Sequence, residues 1–368
     1  MSIINIKDKN LFFIGGVVRD EILGQKSFDI DITYVGDAIA FAKTIPNAEI
    51  IQINEPFGTV KVKFEDQEID IASTRCEIYP QKGHLPVVNN IGCSLKEDIL
   101  RRDFTINALA KSTLTGEIID YTSGIEDIKN KTLRVLHDKS FIDDPTRIVR
   151  GLKFSVRFGF ELDEHTKKLQ EEYLNNINYD MSYKRLKKEL IETFNLNSQN
   201  AFEKFVEQGI YKLIAPQEFK LPEINLEELI SKYKPACPWI IYVGLLPNIS
   251  NLPLTKTEKK IVDDYKKILN QVQNDKNISN FEIYKNFEGV NLESILMLAT
   301  INPEIVQHYL DNLRNTKIEI TGKDLQGLGI PPSSKYSEIF DYILKEKLKN
   351  PALTKAQEIE LVKKYYTE

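Results

Sequence analysis

The chain is poor in residues that build cross-linked or membrane-borne scaffolds. Cysteine occurs three times, at Cys76, Cys93 and Cys237, too few and too scattered for a disulfide framework or a cysteine-based zinc site. No apolar run approaches the length of about 18 residues that a membrane span needs. The opening MSIINIKDKNLFFIGG lacks the charge, long apolar stretch and small-residue cleavage site of a signal peptide, so a cytoplasmic compartment is expected. The four histidines show no ligand spacing. His137-Asp138 is a lone HD dipeptide, which does not indicate a metal phosphohydrolase. A basic excess is also missing: 49 Lys+Arg face 54 Asp+Glu, a net charge of −5, which argues against indiscriminate coating of nucleic acid. Core material is ample, with 42% apolar and 10% aromatic residues over 368 positions. The length suggests two to three domain-sized units.

Two compositions meet in the chain. Residues 1 to about 135 read as mixed α/β, with β-prone runs at Leu11–Ile14, Asp29–Tyr34, Gly58–Phe64, Glu68–Ser73 and Glu117–Tyr121. A short helical pattern, Val17–Leu23, follows directly on Gly15-Gly16. From about residue 140 the strands fade and apolar residues recur at helical spacing, as in Ile148, Leu152, Ser155/Val156 and in Leu186, Leu190, Phe194. Loops are expected at Pro216–Pro222, Leu246–Pro253 and Gly327–Ser334. The pattern implies an α/β head followed by an all-helical remainder.

Residues 14–31, IGGVVRDEILGQKSFDID, carry the first chemical signal. A Gly-Gly pair between strand and helix permits positive φ and close approach of a ligand to the backbone. The helix behind it offers free N–H groups to a phosphate. Arg19, in its first turn, can pair with a phosphate or brace the loop through Asp20. Asp29 and Asp31 alternate on a strand and so share a face. Two like charges there are costly without a cation between them, and magnesium suits carboxylates combined with substrate phosphates. Each feature alone is more often a turn or an exposed strand end; in this order they favour metal-assisted nucleotidyl transfer. Asp70, in Ile69-Asp70-Ile71, can add a third carboxylate or remain a solvated strand residue.

Two arginine-rich segments follow. In RRDFTINALA (101–110), Arg101 and Arg102 read as the opening of a helix, with Asp103 and Thr105 as caps and Asn107 one turn inside. A helical start beside the head suits anion or ribose contact. In IDDPTRIVRGLKFSVRFGF (142–160), Pro145 fits a first helical turn and Asp143 or Asp144 its N-cap. Arg147, Arg150, Lys153 and Arg157 then share one helix face. Asp144 beside Arg147 offers an acceptor and a donor fork to a base edge, and the later cations can reach a triphosphate. A solvated basic face is the competing reading of the same helix.

GGVVRD, DID, the stretch DIASTRCEIYP…SLKEDILRRDFTINALA and DDPTRIVRGLKF together resemble the bacterial class II tRNA nucleotidyltransferases. That family comprises CCA-adding, CC-adding and A-adding enzymes and the related poly(A) polymerases. The resemblance is dense over residues 11–160; beyond about 200 it rests on helical character and on ITGKDLQGLGIPP. It implies an α+β chain with a polymerase-β-like nucleotidyltransferase head (1–135), followed by all-helical neck (136–200), body (201–304) and tail (305–368). The neck would recognise the base and the tail would bind tRNA. It further implies that Asp29 and Asp31 bind Mg2+, that Asp70 is an additional acidic position, and that Gly15, Gly16, Arg19, Arg101, Arg102 and Asn107 serve the nucleotide. Asp144 and Arg147 match the protein-borne template that selects CTP and then ATP. Arg150 and Lys153 match two further nucleotide-contacting positions. The implied partners are the tRNA acceptor end, CTP and ATP, with no membrane. Addition of only A or only CC, poly(A) synthesis and a catalytically silent RNA-binding module are the alternatives.

Departures are few. Lys153 replaces an arginine, which turns a bidentate phosphate contact into a point charge, and Asp143 stands where many members carry Glu. Ser182-Tyr183-Lys184-Arg185 replaces a Ser-x-Glu-Arg segment, and with Lys187 and Lys188 reads as a solvated basic face or a track for the tRNA backbone. Pro331-Pro332-Ser333-Ser334 replaces a more Gly-rich turn. The stretch from Ser73 to Glu97, matching the family's flexible loop, keeps Arg75, Glu77, Tyr79, Pro80, Gly83 and Pro86. In relatives that loop is needed to switch from C to A addition, so its presence favours full CCA or A-only addition. The net charge is then an average: basic residues concentrate on one helix face, and acidic ones collect elsewhere, as in Glu223–Glu228.

Overall fold

In the computed structural model, residues 6–27, 30–64, 67–196, 198–272 and 278–367 are described. The chain divides into two compact units. The first runs to Phe219 and takes in Asn248–Pro253; the second holds Lys220–Pro247 and Leu254–Glu368.

The first unit begins with β1 (Leu11–Ile14), α1 (Gly16–Ile22), β2 (Asp31–Tyr34), α2 (Ala38–Ala42), β3 (Glu49–Asn54), β4 (Thr59–Phe64) and β5 (Gln67–Ser73). A hairpin of β6 (Arg75–Ile78) and β7 (Val87–Ile91) follows, then α3 (Leu95–Leu100), β8 (Leu109–Ser112), β9 (Ile118–Asp120) and α4 (Gly124–Lys129). Seven strands form one sheet in the order β3-β4-β5-β2-β1-β8-β9. Within this sheet, among the described residues, only β2 and β5 pair in parallel; their register sets Asp31 beside Asp70. One sheet face closes over Leu11, Ile32, Val60, Val62, Ile69 and Ile71, with Ala38 and Ala42 of α2 laid on them. Alternation of buried aliphatic and polar residues along β4 and β5 makes that face.

A two-stranded parallel pair, β10 (Thr132–Leu133) with β11 (Glu161–Leu162), brackets α5 (Ser140–Asp143) and α6 (Thr146–Phe158). The helical reading of the chain past residue 140 misses β11. Gly159 ends α6 in the left-handed region at φ 69°, and the next residues leave extended. Then come α7 (Glu164–Asn175), α8 (Tyr183–Phe194) and α9 (Ser198–Glu207). The predicted stripes are the packed faces: Ile148, Leu152, Leu186, Leu190 and Phe194 are all buried. Gly151 lets α6 come close to the head, since a Cβ there would meet the Phe104 ring at 3.1 Å.

The second unit is helical: α10 (Leu226–Tyr233), α11 (Pro238–Val243), α12 (Lys256–Val272), α13 (Asn280–Phe287), α14 (Leu292–Leu298), α15 (Pro303–His308), α16 (Gly322–Gly327), α17 (Lys335–Lys349) and α18 (Lys355–Thr367). Its last three helices enclose Ile320, Leu325, Ile339, Ile343 and Val362. Lys347 and Glu358 form a buried pair at 2.8 Å there, and Glu358 also accepts the N–H groups of Glu319 and Ile320. Such multiple partnering is what keeps a buried carboxylate tolerable. Among the described residues no helix is long and apolar enough to cross a membrane.

Candidate active site

A cleft of about 530 Å³ opens in the first unit. Its walls gather the glycine turn before α1, the start of β2, the β6–β7 hairpin, the segment after α3, and one face of α6. Nine cationic side chains line it against four carboxylates, so the local charge is positive although the chain is acidic.

The glycine turn is sterically dictated. Gly15 has φ 70°, and a Cβ on it would stand 3.0 Å from Arg102 Nη1; only glycine fits both conditions. Arg19 takes the bracing role: its guanidinium donates to Asp20 Oδ1 at 2.7 and 2.9 Å and to Asn107 Oδ1, with its other face on the Phe158 ring at 4.6 Å. Burial pulls the Arg19 pKa down, opposed by Asp20.

Asp31 lines the cleft at the exposed start of β2; Asp29 lies outside the described residues. Arg102 feels the Asp31 charge. A carboxylate at the mouth of a phosphate-sized basic cleft is a donor of the kind a hard divalent cation takes. Asp70 does not line the cleft: Lys61, its cross-strand neighbour, holds Oδ2 at 2.9 Å.

Arg101 and Arg102 are displaced from their expected element. The helix starts earlier, where Ser94 and Glu97 form a capping box, so the arginines follow the end of α3 instead of opening a helix. Thr105–Asn107 is a single tight turn, and Leu109 and Ala110 enter the sheet. The arginines therefore sit at a helix C-terminus, where the dipole favours cations, and not at an anion-binding N-terminus. Buried Asp98 on α3 holds both. It accepts from Arg101 at 2.8 and 3.0 Å, from Arg102 at 3.2 Å and from the Arg75 N–H at 3.1 Å. Burial opposes the Asp98 charge, but Arg102 and Arg101 outweigh it and keep the carboxyl below its ordinary range. Glu77 bridges Arg75 and Arg101 at 2.8 and 2.9 Å.

The α6 stripe is not a solvated face. Arg150 pairs with Asp103 at 2.6 Å and with Glu189 of α8 at 3.3 Å. Lys153 pairs with Glu189 at 2.6 Å and Glu192 at 2.7 Å. Asp103 also accepts from Asn107 at 3.0 Å. Despite burial, Arg150 and Asn107 hold its carboxyl well below the usual carboxylate range, while Asp103 lifts the Arg150 pKa.

Just before α6, whose N-cap is Pro145 and not the expected Asp143 or Asp144, Asp144 Oδ1 accepts from the Thr146 hydroxyl at 2.6 Å and its N–H at 3.2 Å. Oδ2 accepts from Arg185 Nη2 at 2.5 Å. Arg147 donates to Ser140 Oγ at 2.8 Å, Tyr79 Oη at 3.1 Å and the Arg101 carbonyl at 3.0 Å. The hairpin that carries Tyr79 is itself tied down. Gly83 N donates to the Asp143 carbonyl at 3.1 Å, and its carbonyl accepts from Ser182 N at 2.9 Å.

The cleft thus brings together Gly15, Gly16, Arg19, Asp31, Arg101, Arg102, Asn107, Asp144, Arg147, Arg150 and Lys153. Sequence reasoning missed Arg185, read as part of a surface cluster, and gave Asp98 and Glu189 no role. Asp98 did have a signal, since carboxylates three and four residues before two arginines on a helix pair with both. Arg102 Nε and Arg185 Nη1 are buried without a hydrogen-bond partner. Donors left this way are costly, and both line a cleft shaped for an acceptor-rich ligand.

The chain is similar to known nucleotidyltransferases in sequence and fold. A family model described as the poly A polymerase head domain matches residues 11–134. An A-adding tRNA nucleotidyltransferase of Geobacter sulfurreducens is 31% identical over 95% of this chain, which spans 44% of that protein. One from Halalkalibacterium halodurans is 28% identical, with 97% of this chain and 89% of the relative covered. The solved Thermotoga maritima CCA-adding enzyme complexed with tRNA superposes with a TM-score of 0.75 at 25% identity, covering 97% of this chain and 91% of its own.

Proposed function

The chain belongs to the class II CCA-adding enzyme-like nucleotidyltransferase family, and on that premise we propose that it is a tRNA nucleotidyltransferase. It would add CCA, or part of it, to the tRNA 3′ end from CTP and ATP without a nucleic-acid template. The supporting observation is the cleft, where a glycine turn, a carboxylate, and base-sized and phosphate-sized polar groups converge with two unspent buried arginine donors.

In the proposed reaction the tRNA 3′-hydroxyl attacks the α-phosphate, a new phosphodiester forms, and pyrophosphate leaves with the cleaved bond's electron pair. The family generally uses a divalent metal. We assign Mg2+ to Asp29 and Asp31, with Asp70 as an additional acidic position; bound there it would lower the pKa of the attacking hydroxyl and neutralise charge on the leaving group. The remaining work is positioning and charge stabilisation by the chain. Arg102, Arg150 and Lys153 take the triphosphate by exchanging the carboxylates of Asp98, Asp103, Glu189 and Glu192 for phosphate oxygens, so these three cations always face an anion. Asp144 Oδ1 is filled by the Thr146 hydroxyl and N–H, but Oδ2, which accepts from Arg185, retains a lone pair to accept from the exocyclic amine of C or A. Arg147 reaches the base edge by exchanging a partner, and Tyr79 is the partner that hairpin movement releases. A base with the wrong edge strands a buried donor or acceptor at a cost of about 1–3 kcal/mol.

Within this reading 1–135 is the catalytic head, 136–200 the base-recognising neck, 201–304 the body and 305–368 the tRNA-binding tail. The compartment is cytoplasmic. Addition of A alone is the second reading, favoured by the names of the Geobacter and Halalkalibacterium relatives. A labelled-nucleotide assay on tRNA lacking CCA, tRNA ending in CC, and unstructured RNA, each with CTP, ATP or both, tests it. Three additions to the first primer support full CCA synthesis, and extension of the second primer alone supports A addition. Long A tracts on unstructured RNA, or no incorporation, overturn both.

A further inference from the structure

Outside the cleft the fold assembles a second set of metal-competent donors. Cys76 on β6 stands opposite Asn90 of β7, next to a bulge in the hairpin. Seventeen residues further on, the chain leaves β7, and Thr74 pins it: the Thr74 carbonyl accepts from Gly92 N at 2.7 Å, and the Thr74 hydroxyl donates to the Cys93 carbonyl at 2.6 Å. This brings the buried Cys93 thiol to the half-buried Cys76. Glu97, in the first turn of α3, completes the group. Ser94 donates its N–H and hydroxyl to Glu97 Oε2 at 2.9 and 2.6 Å, which fixes the carboxylate's direction. The two sulfurs and a Glu97 oxygen lie within 4.8 Å of one another.

We propose that Cys76, Cys93 and Glu97 form a binding site for a thiophilic divalent cation of the zinc class. Two sulfurs and a carboxylate are the donors such an ion selects, whereas magnesium takes oxygen and so is confined to the cleft. A tetrahedral ion with sulfur ligands at about 2.3 Å sets neighbouring donors roughly 3.5–3.8 Å apart, inside the 4.8 Å limit within which these donors lie. The exposed Glu97 gives the ion a way in, and water or substrate fills the fourth position. Burial first, then Cys76, Asp98 and Glu97, push the Cys93 thiol above its ordinary range. Metal binding takes up thiolate sulfur, so a thiol that ligates gives its proton to solvent as the ion enters. No electrons move. A bound ion would staple the hairpin base, which carries Arg75 and Glu77, to the helix whose Asp98 holds Arg101 and Arg102. The cysteine spacing gave no sign of this, because hairpin pairing and not sequence proximity unites the residues.

The test titrates the full-length, reduced, chelator-treated protein with cobalt(II), then competes with zinc(II) and magnesium(II). One equivalent of cobalt with sulfur-to-metal charge-transfer absorption, displaced by zinc but not by magnesium, is the expected result. Cys76→Ser and Cys93→Ser should abolish the band, Glu97→Gln should weaken binding at least tenfold, and Cys237→Ser should change nothing. Zinc should raise the melting temperature of the native chain but not of Cys76→Ser. That half-buried position carries the test if Cys93→Ser fails to fold. Absence of the band, its persistence in Cys76→Ser, displacement by magnesium at equal concentration, or loss of two thiols to a disulfide with no metal retained would overturn the proposal. None of these readouts depends on nucleotidyl transfer.

Discussion

Arg185 offers the sharpest test of how the cleft reads a base. Its Nη2 donates to Asp144 Oδ2 at 2.5 Å, and its Nη1 is buried without a partner. The Asp144 side chain is 7% exposed and that of Arg185 28%. Truncation to Ala leaves Asp144 with Thr146 as its remaining side-chain partner. Charge-assisted bonds are worth roughly 1.5–3 kcal/mol, and partial exposure of Arg185 lets water recover some of that, which places the loss at about 1.5–2 kcal/mol. If the loss appears as mispositioning of Asp144 in the transition state, kcat/KM for the correct nucleotide falls roughly 10- to 30-fold. UTP and GTP, which depend less on that carboxylate, should fall less, so discrimination narrows. Arg185→Lys retains the charge but not the fork, and should fall between. Lys184→Ala, one residue away and exposed, is the control. Steady-state incorporation of each nucleotide on tRNA primers, beside a thermal melt of each variant, is the assay. A folded Arg185→Ala protein with unchanged kcat/KM and discrimination would refute the positioning role.

Asp31 and Asp70 are neighbours in register but not in environment. Asp31→Asn should cost at least about a thousandfold in incorporation while tRNA binding persists; Asp70→Asn, whose carboxylate Lys61 already holds, should cost no more than about tenfold. Equal losses in a radiolabel assay would place both on the cation. Gly83→Ala should loosen the hairpin: φ is 76° and the new Cβ would stand 2.8 Å from the Asp180 carbonyl. A loss of about 1–2 kcal/mol and faster proteolysis at residues 79–86 are expected, and unchanged cleavage would show that the tie is not limiting. Asp98 and Asp103 have depressed pKa values in the fold, so the unfolded chain takes up protons first as pH falls. Their stabilisation is complete above about pH 5 and is lost as pH drops through about 4 towards the folded values. Melting temperature should decline over that window, and Asp103→Asn should flatten the decline; parallel curves for both proteins would exclude Asp103 as a source.

Local signals account for much of what could be read in advance. β1, β4, β5 and α1 fall within a residue or two of their expected bounds, because their burial alternates or their turns are glycine-marked. β3 was missed since five of its six residues are exposed and no apolar alternation shows. β8 was read as helix because Ile106, Ala108, Leu109 and Ala110 are all buried, and a continuous apolar run does not distinguish the two periods. The β6–β7 hairpin, bounded by Pro and Gly, read as a loop.

By itself the sequence determined local features: the glycine turn with its positive φ and the shared cationic face of α6. These depend on spacings of a few residues, where backbone geometry alone sets which side chains share a face. Tertiary structure alone decided their partners. Arg185 meets Asp144 across 41 residues, Arg150 meets Asp103 across 47, and Lys153 meets Glu189 across 36. Cys76 and Cys93 meet because the β6–β7 hairpin returns the chain to Thr74, which bonds Gly92 and Cys93. Contacts closed over such loops are selected by packing and by the need to pair every buried charge, and neither leaves a period in the sequence.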